Sequence, residues 1–227
     1  MIGYEDRKEV ASTRGISQVE EPHRYDRPGY HFAKRVVDIL VSAVALLILS
    51  PVFLVVTILV SFSSGWPATF RQKRVGHRGE IFEIIKFRSM VKNAEEILNS
   101  RPDLLEEYRK NFKIENDPRI SKFGGFLRKS SLDELPQLFN VLIGEMTLVG
   151  PRPIVPPELE KYGDSQDMYL AMKPGCTGLW QCSGRSATTY EERVALDREY
   201  YEKASVWFDI QILFKTVGAI FSGRGAR

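Results

Sequence analysis

Two adjacent carboxylates in the middle of the chain have the types and spacing of reacting groups. Asp133 and Glu134 lie in the stretch KSSLDELPQLFN, ahead of Pro136. A helix cap is one interpretation, because Ser131 and Glu134 have the spacing of a capping box, although Pro136 would then interrupt the helix. A helix that begins near Asp133 avoids this conflict, since proline is tolerated in a first turn. Either way, both carboxylates lie at a helix N-terminus, which stabilises negative charge.

Basic residues elsewhere in the chain favour a chemical role for this pair. The candidates are Arg128, Arg152 in GPRP, Arg185 in QCSGR, and Lys86 and Arg88 in KFRSM. Guanidinium groups on loops rich in glycine and proline are suited to gripping phosphate oxygens. Paired carboxylates can bind Mg²⁺ and attack phosphorus. The combination predicts phosphoryl transfer, with Asp133 and Glu134 as the catalytic residues.

Composition narrows the class of protein. A chain of 227 residues can bury one good core, and its net charge of +3 is too small to indicate a nucleic-acid partner. Cys176 and Cys182 have no nearby histidine at metal-ligand spacing, so we interpret them as reduced thiols in a cytosolic environment. We therefore expect one folded unit that does not bind nucleic acid.

A long apolar segment between Asp38 and Arg71 indicates a membrane element. It has 32 residues without a charge, against the ~20 that a straight spanning helix needs. Ser50 and Pro51 lie near its middle, where proline should kink or break a helix. Basic residues flank both ends, which suits two ends on the same, cytoplasmic side. We predict a re-entrant helix-break-helix hairpin over about residues 36–66; a single kinked transmembrane helix is the alternative.

The remaining segments predict an α+β fold dominated by helices. Residues 1–30 are polar and are interpreted as a mobile leader, and residues 31–227 as one small cytoplasmic catalytic domain with the membrane hairpin. Two extended runs around VGHRG predict a β-hairpin, and Arg101-Pro102 should separate two short helices. The last segment, SVWFDIQILFKTVGAIF, suits either a core helix or a membrane-surface helix. Such a helix could also join two protomers as a homodimer.

Several ordered motifs resemble those of the monotopic bacterial phosphoglycosyl transferases, also called bacterial sugar transferases. The likeness extends from about Lys34 to the C-terminus. The motifs are KRVVDIL, the Ser50-Pro51 pair, KFRSM, DPRISKFGGFLRKSSLDELPQLFNVLIGEMTLVGPRP and KPGCTGLWQCSGR. Because of TGLWQ, YEERVALD and the short length, the chain is most similar to the exopolysaccharide-type undecaprenyl-phosphate galactose phosphotransferases.

The resemblance implies a specific reaction. A hexose-1-phosphate, with galactose expected, moves from a UDP-sugar to undecaprenyl phosphate and UMP is released, in contact with membrane lipid at the cytoplasmic face of the bacterial inner membrane. Asp133 would be the nucleophile and would also contact Mg²⁺, with Glu134 as its acid/base partner. Arg128, Arg152 and Arg185 match the phosphate-contacting arginines of the family.

The chain departs from the family's sequence pattern at two places, and two rival functions stay open. Ser186 stands where relatives commonly have asparagine, and EKASVW replaces a more usual stretch before the last helix, which puts the sugar preference in doubt. One rival is a non-catalytic membrane scaffold, in which the carboxylates only cap a helix and the arginines bind anionic lipid. The other is a hydrolase that passes an aspartyl intermediate to water.

Overall fold

The computed structural model describes residues 24–112, 114–183 and 189–221, and helices dominate these ranges. The α-helices there are α1 (Pro28–Ser64), α2 (Ala94–Ser100), α3 (Pro102–Asn111), α4 (Lys122–Lys129), α5 (Gln137–Ile143), α6 (Gln166–Ala171), α7 (Leu179–Ser183), α8 (Tyr190–Lys203) and α9 (Val206–Phe221). The strands are β1 (Thr69–Val75), β2 (Ile81–Phe87), β3 (Thr147–Val149) and β4 (Gly175–Thr177). Short 3-10 segments include Leu132–Glu134 and Pro156–Ser165.

Two small sheets organise the domain. Strands β1 and β2 pair antiparallel from Thr69 with Phe87 to Val75 with Ile81, which confirms the hairpin expected around VGHRG. Strands β3 and β4 pair in parallel. Gly175 is required in β4, because a side chain there would overlap the backbone of Gly150. The hairpin carries Lys86 on β2, one residue before the strand ends.

Helix α1 is the apolar element. It is the one helix in the described part of the chain that is long and apolar enough to cross a membrane, by length and composition. Its 37 residues form a continuous helix through Pro51. The predicted separation into two helices is therefore corrected. Proline removes one hydrogen bond but leaves the helical dihedral angles available.

The serine before the proline compensates for that lost hydrogen bond. Pro51 has no N–H, so the carbonyl of Leu47, four residues earlier, loses its usual donor. The Ser50 hydroxyl donates to this carbonyl at 2.8 Å. An unpaired carbonyl in apolar surroundings is costly, so the Ser-Pro pair allows a distorted helix to enter such surroundings.

Both halves of α1 contact the rest of the domain. Buried residues recur every four positions in each half, at Tyr30, Lys34, Asp38 and Ser42 and again at Val56, Val60 and Ser64. Arg35 and Phe53 contact the same helix, α5: the Arg35 guanidinium donates to its last carbonyls, and the Phe53 ring centre lies 5.9 Å from that of Phe139. Residues from both halves of α1 therefore pack against α5.

Polar residues at the start of α1 fasten it to the domain. Lys34 forms a buried ion pair with Asp209 of α9, with 2.7 Å between Nζ and Oδ2. Asp38 accepts hydrogen bonds from the hydroxyl of Thr147 and the amide of Leu148, at 2.7 and 2.9 Å. Lys34 and Arg35 are the basic residues that precede the apolar segment. Both are engaged within the protein, so they support two ends on the cytoplasmic side less than expected.

The start and end of the described chain refine two further expectations. Residues 24–30, which we had assigned to the leader, belong to the fold: Tyr25 is 2% exposed, and its hydroxyl accepts a hydrogen bond from the Lys173 amide. Residues 1–23 lie outside the described ranges. Helix α9 packs one face into the core, where Ile212 is completely buried, and leaves Trp207 and Phe214 exposed on its other face, so its contact with a membrane surface stays a prediction.

A buried amide joins α5 to the hairpin. Asn140 is 0% exposed, donates to the carbonyl of Glu83 at 2.8 Å and accepts from the amide of Ile85 at 3.0 Å. The side chain thus continues the hydrogen bonding of β2 at its free edge. As a result, the turn before α5 has a fixed position relative to Lys86.

We expect Asn140→Ala to destabilise the protein by about 2–4 kcal/mol, because it removes a fully buried side chain and leaves two partly buried backbone groups of β2 without partners. Denaturant unfolding in detergent micelles measures the change. Asn99→Ala, at an exposed position of α2, is the matched control and should have little effect. Equal stability of the two variants would contradict this role for Asn140.

Candidate active site

Helix α4 brings Arg128 to the end of the hairpin. The hydroxyl of Ser121 caps this helix by accepting from the Gly124 amide at 2.9 Å. A side chain at Gly124 would overlap the backbone of Ser89, so glycine allows α4 to pack directly on the KFRSM segment. Arg128 then donates from Nε to the Ser89 hydroxyl at 2.9 Å. Close packing thus orients this guanidinium.

The carboxylate pair lies in a tight turn between two helices. Ser131 adopts a left-handed conformation, with φ of 58°, and makes no side-chain cap. The 3-10 turn Leu132–Glu134 follows, and α5 begins only at Gln137, after Pro136. The helix therefore starts later than either of our alternatives, because the chain first reverses at Ser131. A left-handed serine is uncommon, and such backbone strain is often found beside functional groups.

Glu134 is paired with a lysine from the hairpin. Lys86 Nζ lies 2.6 Å from Glu134 Oε1, and Gln137 also donates to this carboxylate. Burial alone would raise the pKa of Glu134, but the charges of Lys86 and Arg152 outweigh it and lower the pKa. Glu134 is therefore ionised at neutral pH.

Asp133 is in a different electrostatic state. Its residue surface is only 8% exposed. Burial, followed by the negative charge of Glu134, raises the pKa of Asp133 to about 6, although Lys86 and Arg128 oppose that rise. In the described ranges no other side chain donates a hydrogen bond to Asp133, so its oxygens remain available to a ligand. Two neighbouring carboxylates with opposite pKa shifts are suited to different roles.

The structure brings together some of the predicted basic residues. Lys86 and Arg128 lie next to the carboxylates, and the charge of Arg152 acts on Glu134 from the GPRP loop. Arg88 is directed elsewhere, because its Nε donates to the carbonyl of Pro67 at 3.0 Å. Arg185 lies outside the described residues.

The site fits a Mg²⁺ ion that is shared with a substrate. Within the described ranges, no group of three or more histidine, cysteine, aspartate or glutamate residues is arranged to hold a metal. Mg²⁺ commonly uses one or two carboxylates together with water and substrate phosphates. Asp133 provides such a carboxylate. A magnesium site built by Asp133 and a phosphate-bearing ligand is thus compatible with these residues.

Sequence reasoning did not assign a role to the DPR motif. Asp117 and Arg119 form a buried two-bond ion pair at 2.7 and 2.8 Å, and Arg119 also lies 5.8 Å from the ring centre of Tyr108. The Arg119 carbonyl accepts from the Val91 amide, so the pair holds this segment against the end of KFRSM. An aspartate two residues before an arginine was the available signal, but nothing local showed what it would contact.

We expect Asp133→Asn to raise the melting temperature at pH 7.5 by about 2–5 °C. The raised pKa of Asp133 means that the folded state binds more protons than the unfolded state, so stability falls as pH rises toward about 6 and stays lower above it. Asparagine removes this penalty, and the gain should shrink toward pH 4.5. Thermal unfolding of wild type, Asp133→Asn and the exposed control Asp164→Asn tests this; a destabilised Asp133→Asn would contradict it.

Comparison with known proteins agrees with the motifs. The bacterial sugar transferase family matches residues 29–223. The exopolysaccharide production protein ExoY of Rhizobium meliloti is 46% identical over 204 residues, covering 88% of this chain and 90% of that protein. The undecaprenyl-phosphate galactose phosphotransferase of Salmonella typhimurium is 49% identical over 199 residues, covering 86% of this chain but 42% of the relative.

A third relative carries a different sugar in its name. The UDP-glucose:undecaprenyl-phosphate glucose-1-phosphate transferase of Escherichia coli is 40% identical over 202 residues, covering 85% of this chain and 41% of that protein. This chain thus spans less than half of the two longer relatives and most of ExoY. The resemblance drawn from the motifs is confirmed, and the chain belongs to the bacterial sugar transferase family.

Proposed function

We propose that the chain transfers a hexose-1-phosphate from a UDP-sugar to undecaprenyl phosphate and releases UMP, through a phosphosugar-aspartyl intermediate on Asp133. The observation that carries this proposal is the partly buried turn in which Asp133 and Glu134 have opposite pKa shifts, with Lys86 paired to Glu134 and Arg128 close to Asp133. The names of the relatives support the donor and acceptor classes. Galactose is the proposed sugar, and this choice rests on the galactose-named relatives.

The first step uses Asp133 as the nucleophile. A carboxylate oxygen attacks the sugar-bearing phosphorus, and the bond from this phosphorus to the bridging oxygen breaks, so that UMP leaves with the electron pair. Lys86 and Arg128 supply positive charge around the reacting phosphate before the reaction begins, and Arg152 adds charge from the GPRP loop, which stabilises developing negative charge. Bound Mg²⁺ would add positive charge at the phosphate oxygens.

The second step regenerates the enzyme. An oxygen of undecaprenyl phosphate attacks the same phosphorus, and the Asp133 carboxylate leaves. Glu134 is the proposed partner that accepts a proton from the incoming phosphate, and its ion pair with Lys86 weakens its basicity until a bound phosphate shares that lysine. Because UMP has already left, one small site can serve both the nucleotide and the lipid in turn.

We further propose that α1 enters only one leaflet, from the cytoplasmic face. Both of its halves converge on α5, so both ends emerge on the domain side. The stretches from Lys34 to Ser50 and from Pro51 to Ser64 are ~25 and ~21 Å long, which is short of the ~30 Å hydrocarbon thickness. Since α5 directly follows the catalytic turn, this arrangement puts Asp133 at headgroup level. The homodimer expected from the sequence stays a prediction.

The test is UMP release by detergent-solubilised protein from a panel of UDP-sugars, with and without undecaprenyl phosphate and Mg²⁺. We expect continuous release that needs lipid and metal, favours one sugar, and falls at least ~1000-fold in Asp133→Asn. Asp164→Asn should retain wild-type turnover. Sustained release without lipid would indicate a hydrolase. Full activity in Asp133→Asn, or no release with any donor, would contradict the proposal and favour the scaffold.

The pH dependence of kcat/KM should show the titration of the carboxylate pair. We expect the rate to fall below about pH 6, because protonation of Asp133 removes the nucleophile. In Lys86→Met this acidic limb should move to higher pH, since Lys86 lowers the pKa of Asp133. Stopped-time assays from pH 4.5 to 8.5 measure the acidic limb of the wild-type protein and that of Lys86→Met. An unchanged limb in Lys86→Met would exclude this assignment.

A further inference from the structure

A buried arginine beside the GPRP loop has no assigned role in the chemistry above. Arg74, on β1, is 9% exposed, and it donates to the carbonyl of Pro153 at 2.9 Å and to the side chain of Gln72 at 2.6 Å. Its Nε atom has no hydrogen-bond partner in the described part of the chain. Nor does any carboxylate there lie within ion-pair distance of Arg74. The guanidinium is thus a buried charge without an ion-pair partner.

Two further arginines belong to the same cluster. Burial and then the charge of Arg152 lower the pKa of Arg74 to about 10, and the same two causes lower the pKa of Arg193. Glu158 opposes the shift of Arg74 as the nearby carboxylate, but it forms no ion pair with Arg74 in the described ranges. Arg74 is therefore a buried positive charge close to that of Arg152, and such a charge is costly unless an anion balances it.

The cluster is held in a fixed geometry. Tyr169 donates to the carbonyl of Arg152 at 3.0 Å and accepts from the amide of Ile154 at 3.2 Å, which orders the GPRP loop. The guanidinium carbon of Arg193 lies 4.6 Å from the ring centre of Trp180. Such preorganised charges bind an anion without reorganising. The charge of Arg152 also acts on Glu134, so this residue connects the cluster to the catalytic pair.

We propose that Arg74, together with Arg152 and Arg193, forms the subsite for the phosphate of the departing nucleotide. This inference rests on the proposed transfer reaction. When the bond from the sugar-bearing phosphorus to the bridging oxygen breaks, the electron pair stays on that oxygen, and the UMP phosphate gains one negative charge. Positive charge on the side of the leaving group stabilises this change. In this arrangement, Lys86 and Arg128 stabilise the charge on the phosphate that Asp133 attacks.

The experiment compares the binding of UMP and uridine to the full chain in detergent. Arg74→Met removes the charge and keeps an apolar side chain, and Arg71→Met is the matched control on the same strand, where Arg71 is exposed and pairs with Glu83. We expect Arg74→Met to weaken UMP binding by about tenfold or more, because a charge-assisted contact is lost. Uridine binding, measured by ligand-observed NMR, should not change, and Arg74→Lys should recover part of the UMP affinity.

The outcomes separate this role from a structural one. An equal loss of UMP and uridine binding would show that Arg74 only holds the GPRP loop, and unchanged UMP binding would also overturn the inference. If Arg74→Met does not fold, Arg193→Gln provides the same comparison. Wild-type UMP release is measured in parallel. The absence of wild-type release would reject the proposed reaction. Intact wild-type turnover together with unchanged UMP binding in Arg74→Met would reject the subsite alone.

Discussion

Two neighbouring carboxylates in a partly buried turn repel each other when both are charged, and the fold must supply positive charge for both to ionise at neutral pH. The ion pair between Lys86 and Glu134 is the main source of that charge. It lowers the pKa of Glu134 and limits the rise in that of Asp133. The other elements around the site hold Lys86, the turn and the arginines in fixed positions relative to one another.

Specific contacts hold the residues of the site in position. Asn140 joins the helix after the turn to the strand that carries Lys86. Gly124 lets the preceding helix approach closely enough for Arg128 to reach Ser89. The apolar helix α1 takes part as well, because Arg35 donates to the last carbonyls of α5. The position of the turn that contains Asp133 is therefore coupled to the way α1 docks on the domain.

Much of this arrangement could be predicted from sequence. The β-hairpin, the helix boundary at Arg101-Pro102 and the long apolar helix follow from local patterns, and the family follows from ordered motifs. Long-range pairing could not be predicted. Nothing in KRVVDIL shows that Lys34 is buried against Asp209 rather than exposed to headgroups. Similarly, Arg74 resembles any strand cation, and only its packing under the GPRP loop distinguishes it.

Local sequence patterns also predicted the breaks and starts of helices incompletely. Proline at position 51 predicted two helices, yet the Ser50 hydroxyl takes over the missing donor and the helix continues. In the turn that contains Asp133, the left-handed backbone at Ser131 delays the next helix. Both outcomes depend on one residue next to a proline or a turn, where several backbone conformations have similar free energies.

The central claim is that Asp133, and not its neighbour, becomes covalently attached to the transferred group. Intact mass spectrometry of wild-type protein, mixed with the preferred UDP-sugar and Mg²⁺ in the absence of undecaprenyl phosphate, tests it most directly. The account predicts a mass gain of one phosphosugar that maps to the peptide containing Asp133 and disappears when the lipid phosphate is added. No adduct under conditions that support turnover, or an adduct on another residue, would contradict it.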